Sequence, residues 1–505
     1  MKQLLIDGKS LSLEDIARVA YDLDAKTKVK LSPAARGKVQ QSRKFIESKL
    51  GGRDAIYGVN TGFGLMSRVR IDDSQLDRLQ VNLLRSHATG IGRPLSESET
   101  RAAILLRANT LAAGHSGVSV ALIEALLALL NASVHPWIPE QGSVGACGDL
   151  APLAHLALTL IGEGRAYHDG KLMPSARALE HAGLKPYKVL PKEGLSLING
   201  TQIMTAIGTL VFLRAEALAQ MADVAGAMTI EALAGSVAPF DEDIHRIRPH
   251  RGQGEVAAHM RKLLARYEIM KSHEFCDKVQ DPYSLRCIPQ VHGIARDVLR
   301  HVREVLEVEV NSVTDNPLVF AKGAKGGKIV NGGNFHGEYV AIAMDELCIA
   351  VSELANISER RLEKLINPAL SDLPAFLVKE GGLNSGFMIV QVAAASLVSE
   401  NKVLSHPASV DSIPTSADKE DHVSMGTIAA RKARSIVENT WNVIAMEFFG
   451  ASQGLEFRRP LRASKLVDQA YRAIRERVPP VEHDRAFYED INTISDVMNR
   501  GELLF

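Results

Sequence analysis

A glycine-rich turn carries the residues of this chain whose types and spacing could perform unusual chemistry. It runs from Gly142 to His155 as GSVGACGDLAPLAH. Glycines add no side chain to a core and increase the entropy of the unfolded chain, so their density indicates that the backbone itself is used. If the amide nitrogen of Gly148 attacks the carbonyl carbon of Ala146, dehydration and loss of the group at Cys147 give 4-methylidene-imidazole-5-one. This neutral ring is a strong electrophile.

Two other roles for Cys147 stay open at this point. A free cysteine is most often a small buried hydrophobic residue. It can also be a nucleophile activated by a histidine, as in cysteine hydrolases. The GxCxD context differs from the GxSxG turn of α/β hydrolases, whose scaffold a mainly helical chain does not supply. The four cysteines, Cys147, Cys276, Cys287 and Cys348, lack CxxC spacing, which argues against a disulfide framework and a structural zinc site.

Two short motifs resemble known ligand sites but lack essential parts. Gly62-Phe63-Gly64 begins like a phosphate-binding GxGxxG loop, yet Ser67 stands where the third glycine belongs. His336-Gly337-Glu338 has the HxE pattern of zinc deaminases, but no PCxxC follows it. We therefore predict that neither a nucleotide nor a metal is a required cofactor.

Composition is that of an ordinary soluble globular protein, with 46% apolar and 23% charged residues. Lys+Arg and Asp+Glu balance at 59 each, which gives no electrostatic reason to expect a nucleic acid or a membrane as partner. The apolar start of the chain is too short for a signal peptide, and we predict a cytoplasmic protein. Charged residues interrupt the apolar runs at 118–134 and 203–228, so both are interpreted as buried helices.

The elements that must position the chemistry are mostly helices. Apolar residues at spacings of three and four predict helices over 294–309, 339–364, 389–404 and 426–448. Ser12-Leu13-Glu14-Asp15 is typical of a helix start. The pattern predicts a mainly α fold, with a smaller mixed N-terminal region over residues 1–200 and a long-helix bundle over residues 201–505. Polar segments that interrupt the helices are expected to converge on one site; they lie at 199–202, 280–286, 332–336 and 419–422.

Several motifs together resemble those of the aromatic amino acid ammonia-lyases, and especially their histidine-acting members. The resemblance covers nearly the whole chain and rests on YGVNTGFG at 57–64, SHATGIG at 86–92, GSVGACGDLAPLAH at 142–155, EGLSLINGTQ at 193–202, KVQDPYSLRC at 278–287, GGNFH at 332–336, NSGFMI at 384–389 and KEDHVSMGTIAAR at 419–431. It implies a long antiparallel helical bundle and an autocatalytic methylidene-imidazolone. The family forms that ring from Ala-Ser-Gly, whereas this chain has Ala146-Cys147-Gly148. A thiol can also leave by β-elimination, with hydrogen sulfide expelled in place of one water, but the substitution could equally block ring formation.

The resemblance also implies roles in proton transfer. Tyr57 matches the base that removes the β-hydrogen, and its ionisation would need positive potential or helix N-termini nearby, because a free tyrosine has a pKa of about 10. A buried aromatic packing role is the alternative for this residue. Asn199 matches the residue that hydrogen bonds the ring carbonyl. Tyr283 is implied as a second proton-transfer group.

Substrate binding is implied for five further residues. Arg286 matches a carboxylate clamp with two parallel hydrogen bonds, although a surface ion pair is the simpler alternative. Gln280 should line the pocket, and Phe335 should form its wall beside the ring. His87 of the Ser86-His87 pair and Glu420 would hold the two nitrogens of an imidazole, unless Glu420 is only part of a charged loop.

Together these implied roles predict elimination of ammonia from L-histidine to give trans-urocanate, the first step of histidine degradation. A tyrosine or phenylalanine lyase and an aminomutase of the same family are the enzymatic alternatives. An unmatured, inactive relative that binds an amino acid is an alternative of another class. The resemblance further implies a homotetramer in which neighbouring chains share active sites.

Overall fold

The computed structural model describes residues 2–50, 52, 54–265, 267–274, 279–323 and 326–505. Helices account for 58% of the structure and strands are few, which confirms the predicted mainly α fold. Cys276 and Lys278 lie outside the described residues.

The described helices range from one turn to 31 residues. The α-helices span Leu13–Ala20, Pro33–Glu47, Leu76–His87, Glu97–Ala112, Val120–Asn131, Leu150–Leu160, Ser175–His181, Glu193–Ile198, Gln202–Ala232, Glu242–Arg246, Arg251–Leu263, Glu268–Ser272, Tyr283–Arg286, Ile288–Glu309, Glu338–Ile366, Pro368–Ser371, Met388–Leu404, Gly426–Glu456, Lys465–Arg475 and Phe487–Asn499. Short 3-10 helices span Gly64–Arg68, Asp73–Gln75, Ala238–Phe240 and Ala375–Leu377. All four helices predicted from periodicity are present: three begin within one residue of the predicted start, and Ile288–Glu309 begins six residues before it.

The described strands are short and form small separate sheets. Lys2–Ile6 pairs in parallel with Thr27–Leu31. The other pairs are antiparallel: Ile91–Pro94 with Pro139–Gln141, Arg165–His168 with both His135–Pro136 and Lys171–Pro174, and Leu318–Lys322 with Gly326–Val330.

The first helix shows how local sequence sets an element boundary. The Ser12 side chain accepts a hydrogen bond from the Asp15 backbone N–H, and the Asp15 carboxylate accepts one from the Ser12 N–H. This reciprocal pair satisfies two backbone donors that the first helical turn leaves free. The helix start predicted at 12–15 is therefore confirmed.

Two compact units divide the chain differently from the single boundary predicted at residue 200. The first contains residues 1–211, 303–345 and 407–431, and the second contains residues 212–302, 346–406 and 432–505. The later segments belong to the first unit because their apolar side chains complete its cores. Val319 packs with Phe45, Ile46 and Val59 in one such core. Contacts so distant in sequence leave no mark in local periodicity.

Among the described helices, Gln202–Ala232 is long and apolar enough to cross a membrane by length and composition alone. Protein buries 78% of its most apolar window, however, as expected for a core helix. The interpretation of this run as a buried helix is confirmed.

Candidate active site

A cavity of about 780 Å³ lies within the first compact unit. Its lining comes from segments that are far apart in sequence. It includes six of the residues singled out by motif: Tyr57, His87, Cys147, Asn199, Phe335 and Glu420. The polar segments around 199, 335 and 420 therefore do converge.

The glycine-rich turn is pressed against a neighbouring backbone segment. Gly148 has φ = +68°, and a Cβ atom added there would lie 2.1 Å from the Gly200 carbonyl oxygen. The Gly200 oxygen accepts a hydrogen bond from the Asp149 N–H at 2.8 Å, and the Gly200 N–H donates to the Cys147 carbonyl at 3.2 Å. Only glycine fits such an approach at position 148, so the backbone is indeed what this turn uses.

Asp149 connects the turn to a neighbouring helix, a role that no sequence motif indicates. Its buried carboxylate accepts hydrogen bonds from the backbone N–H groups of Ile203 and Met204, at 3.0 and 2.9 Å, in the first turn of helix Gln202–Ala232. It also accepts from the Ser143 and Thr427 hydroxyls. Burial raises the pKa of Asp149, and these donors oppose that shift. Asp149 directly precedes helix Leu150–Leu160, a position that usually indicates a cap of that helix. Its carboxylate instead caps helix Gln202–Ala232.

We expect Asp149→Ala to lower the free energy of unfolding by about 1–3 kcal/mol, because the variant leaves buried helix donors without their acceptor. Urea denaturation measures the effect. Asp169→Asn, at an exposed turn position, is the matched control and should stay within about 0.5 kcal/mol of the parent. Equal stability of both variants would show that the Asp149 contacts do not hold the turn.

The residues at 146–148 are compatible with ring closure. Among the described residues, the Gly148 amide nitrogen has no hydrogen-bond partner, so the attacking atom is not held elsewhere. Ala146 packs against the apolar side chains of Val423 and Met425. The attacking segment and the attacked residue are thus each fixed in place, and position 147 faces the cavity.

The Cys147 side chain is a protonated thiol in this environment. Its Sγ donates to Glu420 Oε1 at 3.1 Å. Burial, together with the Glu420 charge, raises the pKa of the thiol far above its usual range. A thiol that cannot ionise is a poor nucleophile, which weighs against the cysteine hydrolase alternative.

His87 and Glu420 present polar groups to the same cavity. His87 ends helix Leu76–His87, and its Nδ1 lies 2.9 Å from the Leu83 carbonyl oxygen. Burial lowers the pKa of His87, so the ring is neutral at neutral pH. The second carboxylate oxygen of Glu420 accepts a hydrogen bond from the Thr415 hydroxyl at 2.6 Å. Glu420 is therefore a positioned group of the cavity wall and not merely part of a charged loop.

Tyr57 also lines the cavity, with its ring edge-on to Phe63 at a centroid distance of 6.3 Å. Burial raises the pKa of its hydroxyl, and the negative charge of Glu420 adds to the shift. A hydrogen bond from the Gly64 backbone N–H acts in the opposite direction. The net shift is upward, so these surroundings do not supply the positive potential expected for a tyrosine base.

Asn199 is held by a buried polar network. The side-chain Nδ2 of Asn199 donates to the Asn316 backbone carbonyl at 3.1 Å. The backbone carbonyl of Asn199 accepts a hydrogen bond from the Arg107 guanidinium at 2.8 Å. Asp315 pairs with the buried Lys192 ammonium at 3.0 Å and lies 3.4 Å from the same Nδ2. Burial lowers the pKa of Arg107 to about 10. The network fixes the Asn199 backbone and amide at the cavity wall.

The segment around residue 283 contains three further predicted site residues. Gln280, Tyr283 and Arg286 belong to the second compact unit and are absent from the cavity lining. Tyr283 is 71% exposed, and the Arg286 guanidinium lies over its ring at 4.5 Å. Arg286 therefore contacts the Tyr283 ring of its own segment.

The fold and the cavity define an enzyme of known class. The model of the aromatic amino acid lyase family matches residues 11–476, and the chain belongs to that family of carbon–nitrogen lyases.

Among its relatives, a histidine ammonia-lyase of Myxococcus xanthus is 53% identical over 99% of this chain and 98% of the relative. A histidine ammonia-lyase of Anaeromyxobacter dehalogenans is 54% identical over the full length of both chains. The crystal structure of histidine ammonia-lyase from Trypanosoma cruzi superposes with a TM-score of 0.91 at 45% identity, covering 99% of this chain and 94% of that one. A tyrosine aminomutase from Streptomyces globisporus has a TM-score of 0.92 at 40% identity, covering 99% and 98%.

Proposed function

We propose that this enzyme eliminates ammonia from L-histidine to give trans-urocanate, the first step of histidine degradation. The observation that carries the proposal is the presence of His87 and Glu420 in the cavity that also contains Cys147. The names of the most similar relatives support the same substrate. An aminomutase is the second candidate, since a tyrosine aminomutase is among the similar structures.

Two hydrogen-bond acceptors in the cavity favour an imidazole side chain. His87 Nδ1 donates its proton to the Leu83 carbonyl oxygen. In the neutral ring, Nε2 then has a free lone pair and can accept a hydrogen bond. The Glu420 carboxylate is the other acceptor, and two acceptors match the two N–H groups of a protonated imidazole. A phenyl ring in this place would leave the polar groups of His87 and Glu420 unpaired, which discriminates strongly against it.

Catalysis is proposed to depend on a ring formed from Ala146, Cys147 and Gly148. The Gly148 nitrogen bonds to the Ala146 carbonyl carbon, and the chain loses one water and one hydrogen sulfide. When formed, this ring supplies an electrophile that makes the substrate amine a better leaving group. We assign Asn199 the hydrogen bond to the ring carbonyl and Phe335 the adjacent wall, as the family resemblance implies.

Proton removal and carboxylate binding are assigned to the remaining residues. Tyr57 takes the β-proton of the substrate, and Tyr283 is a second proton-transfer group. Arg286 binds the substrate carboxylate and Gln280 lines the pocket. Gln280, Tyr283 and Arg286 are absent from the cavity lining. We therefore propose that a neighbouring copy of the chain supplies them in a cytoplasmic homotetramer. Positive charge arriving with Arg286 would also lower the pKa of Tyr57.

The test is the ultraviolet absorbance of urocanate after purified protein is mixed with L-histidine. We expect product from histidine and none from tyrosine or phenylalanine. Turnover of tyrosine without turnover of histidine contradicts the substrate assignment, and a β-amino acid product identifies an aminomutase.

Glu420→Gln should lower kcat/KM for histidine by about 10- to 100-fold, because a charge-assisted hydrogen bond to the imidazole is lost. Urocanate formation measures the change, and the thermal midpoint should stay close to that of the parent. Asp421→Asn alters the neighbouring exposed carboxylate and serves as the matched control. If kcat/KM falls equally in the two variants, or falls in neither, Glu420 does not bind the imidazole.

A further inference from the structure

Outside the catalytic cavity, the fold brings three metal-ligating side chains together. The ligand atoms of His336, Glu338 and His422 all lie within 4.8 Å of one another. The HxE sequence at 336–338 lacks the paired cysteines of zinc deaminases, but the chain returns more than eighty residues later to place an imidazole beside it. None of the three lines the cavity.

The hydrogen bonding of His336 prepares one ring nitrogen for a metal. Its Nε2 lies 3.2 Å from the His422 backbone carbonyl oxygen. Since a carbonyl only accepts, Nε2 carries the proton and Nδ1 keeps a lone pair. Metal-ligating histidines characteristically donate their other N–H to a carbonyl in this way. His336 Nδ1 faces Glu338 Oε2 at 3.9 Å.

Glu338 contributes an oxygen that protein groups leave unused. Its Oε2 is buried and has no hydrogen-bond partner among the described residues. Glu338 begins helix Glu338–Ile366, and an acidic residue is favoured at a helix start. That preference accounts for the carboxylate but not for an unpaired buried oxygen beside two imidazoles. A buried acceptor without a donor is costly, and a cation would satisfy it.

We propose that His336, Glu338 and His422 form a binding site for a zinc-class divalent cation. Two imidazoles and one carboxylate are a ligand set that Zn²⁺ accepts, with a fourth position left for water. Ligands of one zinc lie about 3.3 Å apart. The ligand atoms here lie within 4.8 Å of one another, so the side chains must close by up to about 1.5 Å, and His422 is exposed. The bound cation would join two segments that also line the cavity, since Phe335 precedes His336 and Glu420 lies two residues before His422.

Binding is tested with the full-length Cys147→Ala protein, which lacks the thiol as a competing ligand, after removal of metal with a chelator. Zn²⁺ is titrated in competition with a chromophoric chelator, without histidine, since that substrate itself binds zinc. We expect one site per chain and a thermal midpoint that rises with zinc. Glu338→Gln and His422→Ala should each weaken binding at least tenfold and abolish the rise.

His301→Ala is the matched control, because it removes an exposed histidine that lies 3.6 Å from Glu346. It should bind zinc like the parent. Anomalous scattering at the zinc edge should place the ion about 2.0–2.1 Å from a ring nitrogen of His336. Unchanged affinity in both ligand variants, or an ion located elsewhere, overturns the proposal. None of these measurements uses turnover, so they are independent of the proposed lyase activity.

Discussion

Cys147→Ala is expected to reduce urocanate formation to the background of the assay. Alanine has no β substituent to expel, so ring closure cannot be followed by formation of the exocyclic methylene. The variant should fold normally, because removal of the thiol takes away a single hydrogen bond to Glu420. Intact mass spectrometry gives a second readout: the variant should have its encoded mass, whereas the parent should be lighter by one water and one hydrogen sulfide.

Cys147→Ser is the matched control for this experiment. Serine has a β-hydroxyl that can leave as water, so this variant should be active and lighter than its encoded mass by two waters. If the parent itself has its encoded mass and no activity while Cys147→Ser is active, the natural chain is an unmatured binding protein. Parent-like turnover by Cys147→Ala would remove the ring from the mechanism altogether.

Tyr57→Phe is expected to lower kcat for histidine by about 10²- to 10⁴-fold, the usual contribution of a positioned acid or base. Phenylalanine keeps the edge-on contact with Phe63, so the ring packing that shapes the cavity is retained. The hydroxyl that accepts the Gly64 N–H is lost. The measurement is initial-rate kinetics, with KM expected to change far less than kcat.

Tyr339→Phe makes the same chemical change at a tyrosine that is 77% exposed. Its kcat should equal that of the parent. A Tyr57→Phe protein with parent-like kcat would assign Tyr57 to packing, which is the alternative that its burial allows.

Local sequence predicted the four helices that show clear apolar periodicity, and motifs pointed to six residues that line the cavity. The start at Ser12 follows from side-chain capping, and helix Met388–Leu404 begins one residue before its predicted start at Ile389. These helix starts depend on residues within a few positions of each other, so the local sequence pattern is enough to predict them. The site residues followed from motifs, and the cavity lining then places Tyr57 and Glu420 together.

Other features depend on contacts that no local pattern contains. Asp149 caps a helix that begins more than fifty residues later, and its role required the tertiary structure. The segment containing Val319 lies in the predicted bundle region but packs in a core of the first unit. The direction of the Tyr57 pKa shift depends on burial and on Glu420, which are set by the fold. The placement of His422 beside His336 and Glu338 is of the same kind.

The hydrogen bond between Cys147 and Glu420 determines what loss of the sulfur changes in the cavity wall. Before ring formation, Glu420 Oε1 accepts from the thiol and Oε2 accepts from the Thr415 hydroxyl. Each carboxylate oxygen has a second lone pair, so Glu420 can still accept from an imidazole N–H. Ring formation therefore removes one competing donor from Oε1 and leaves Thr415 to orient the carboxylate.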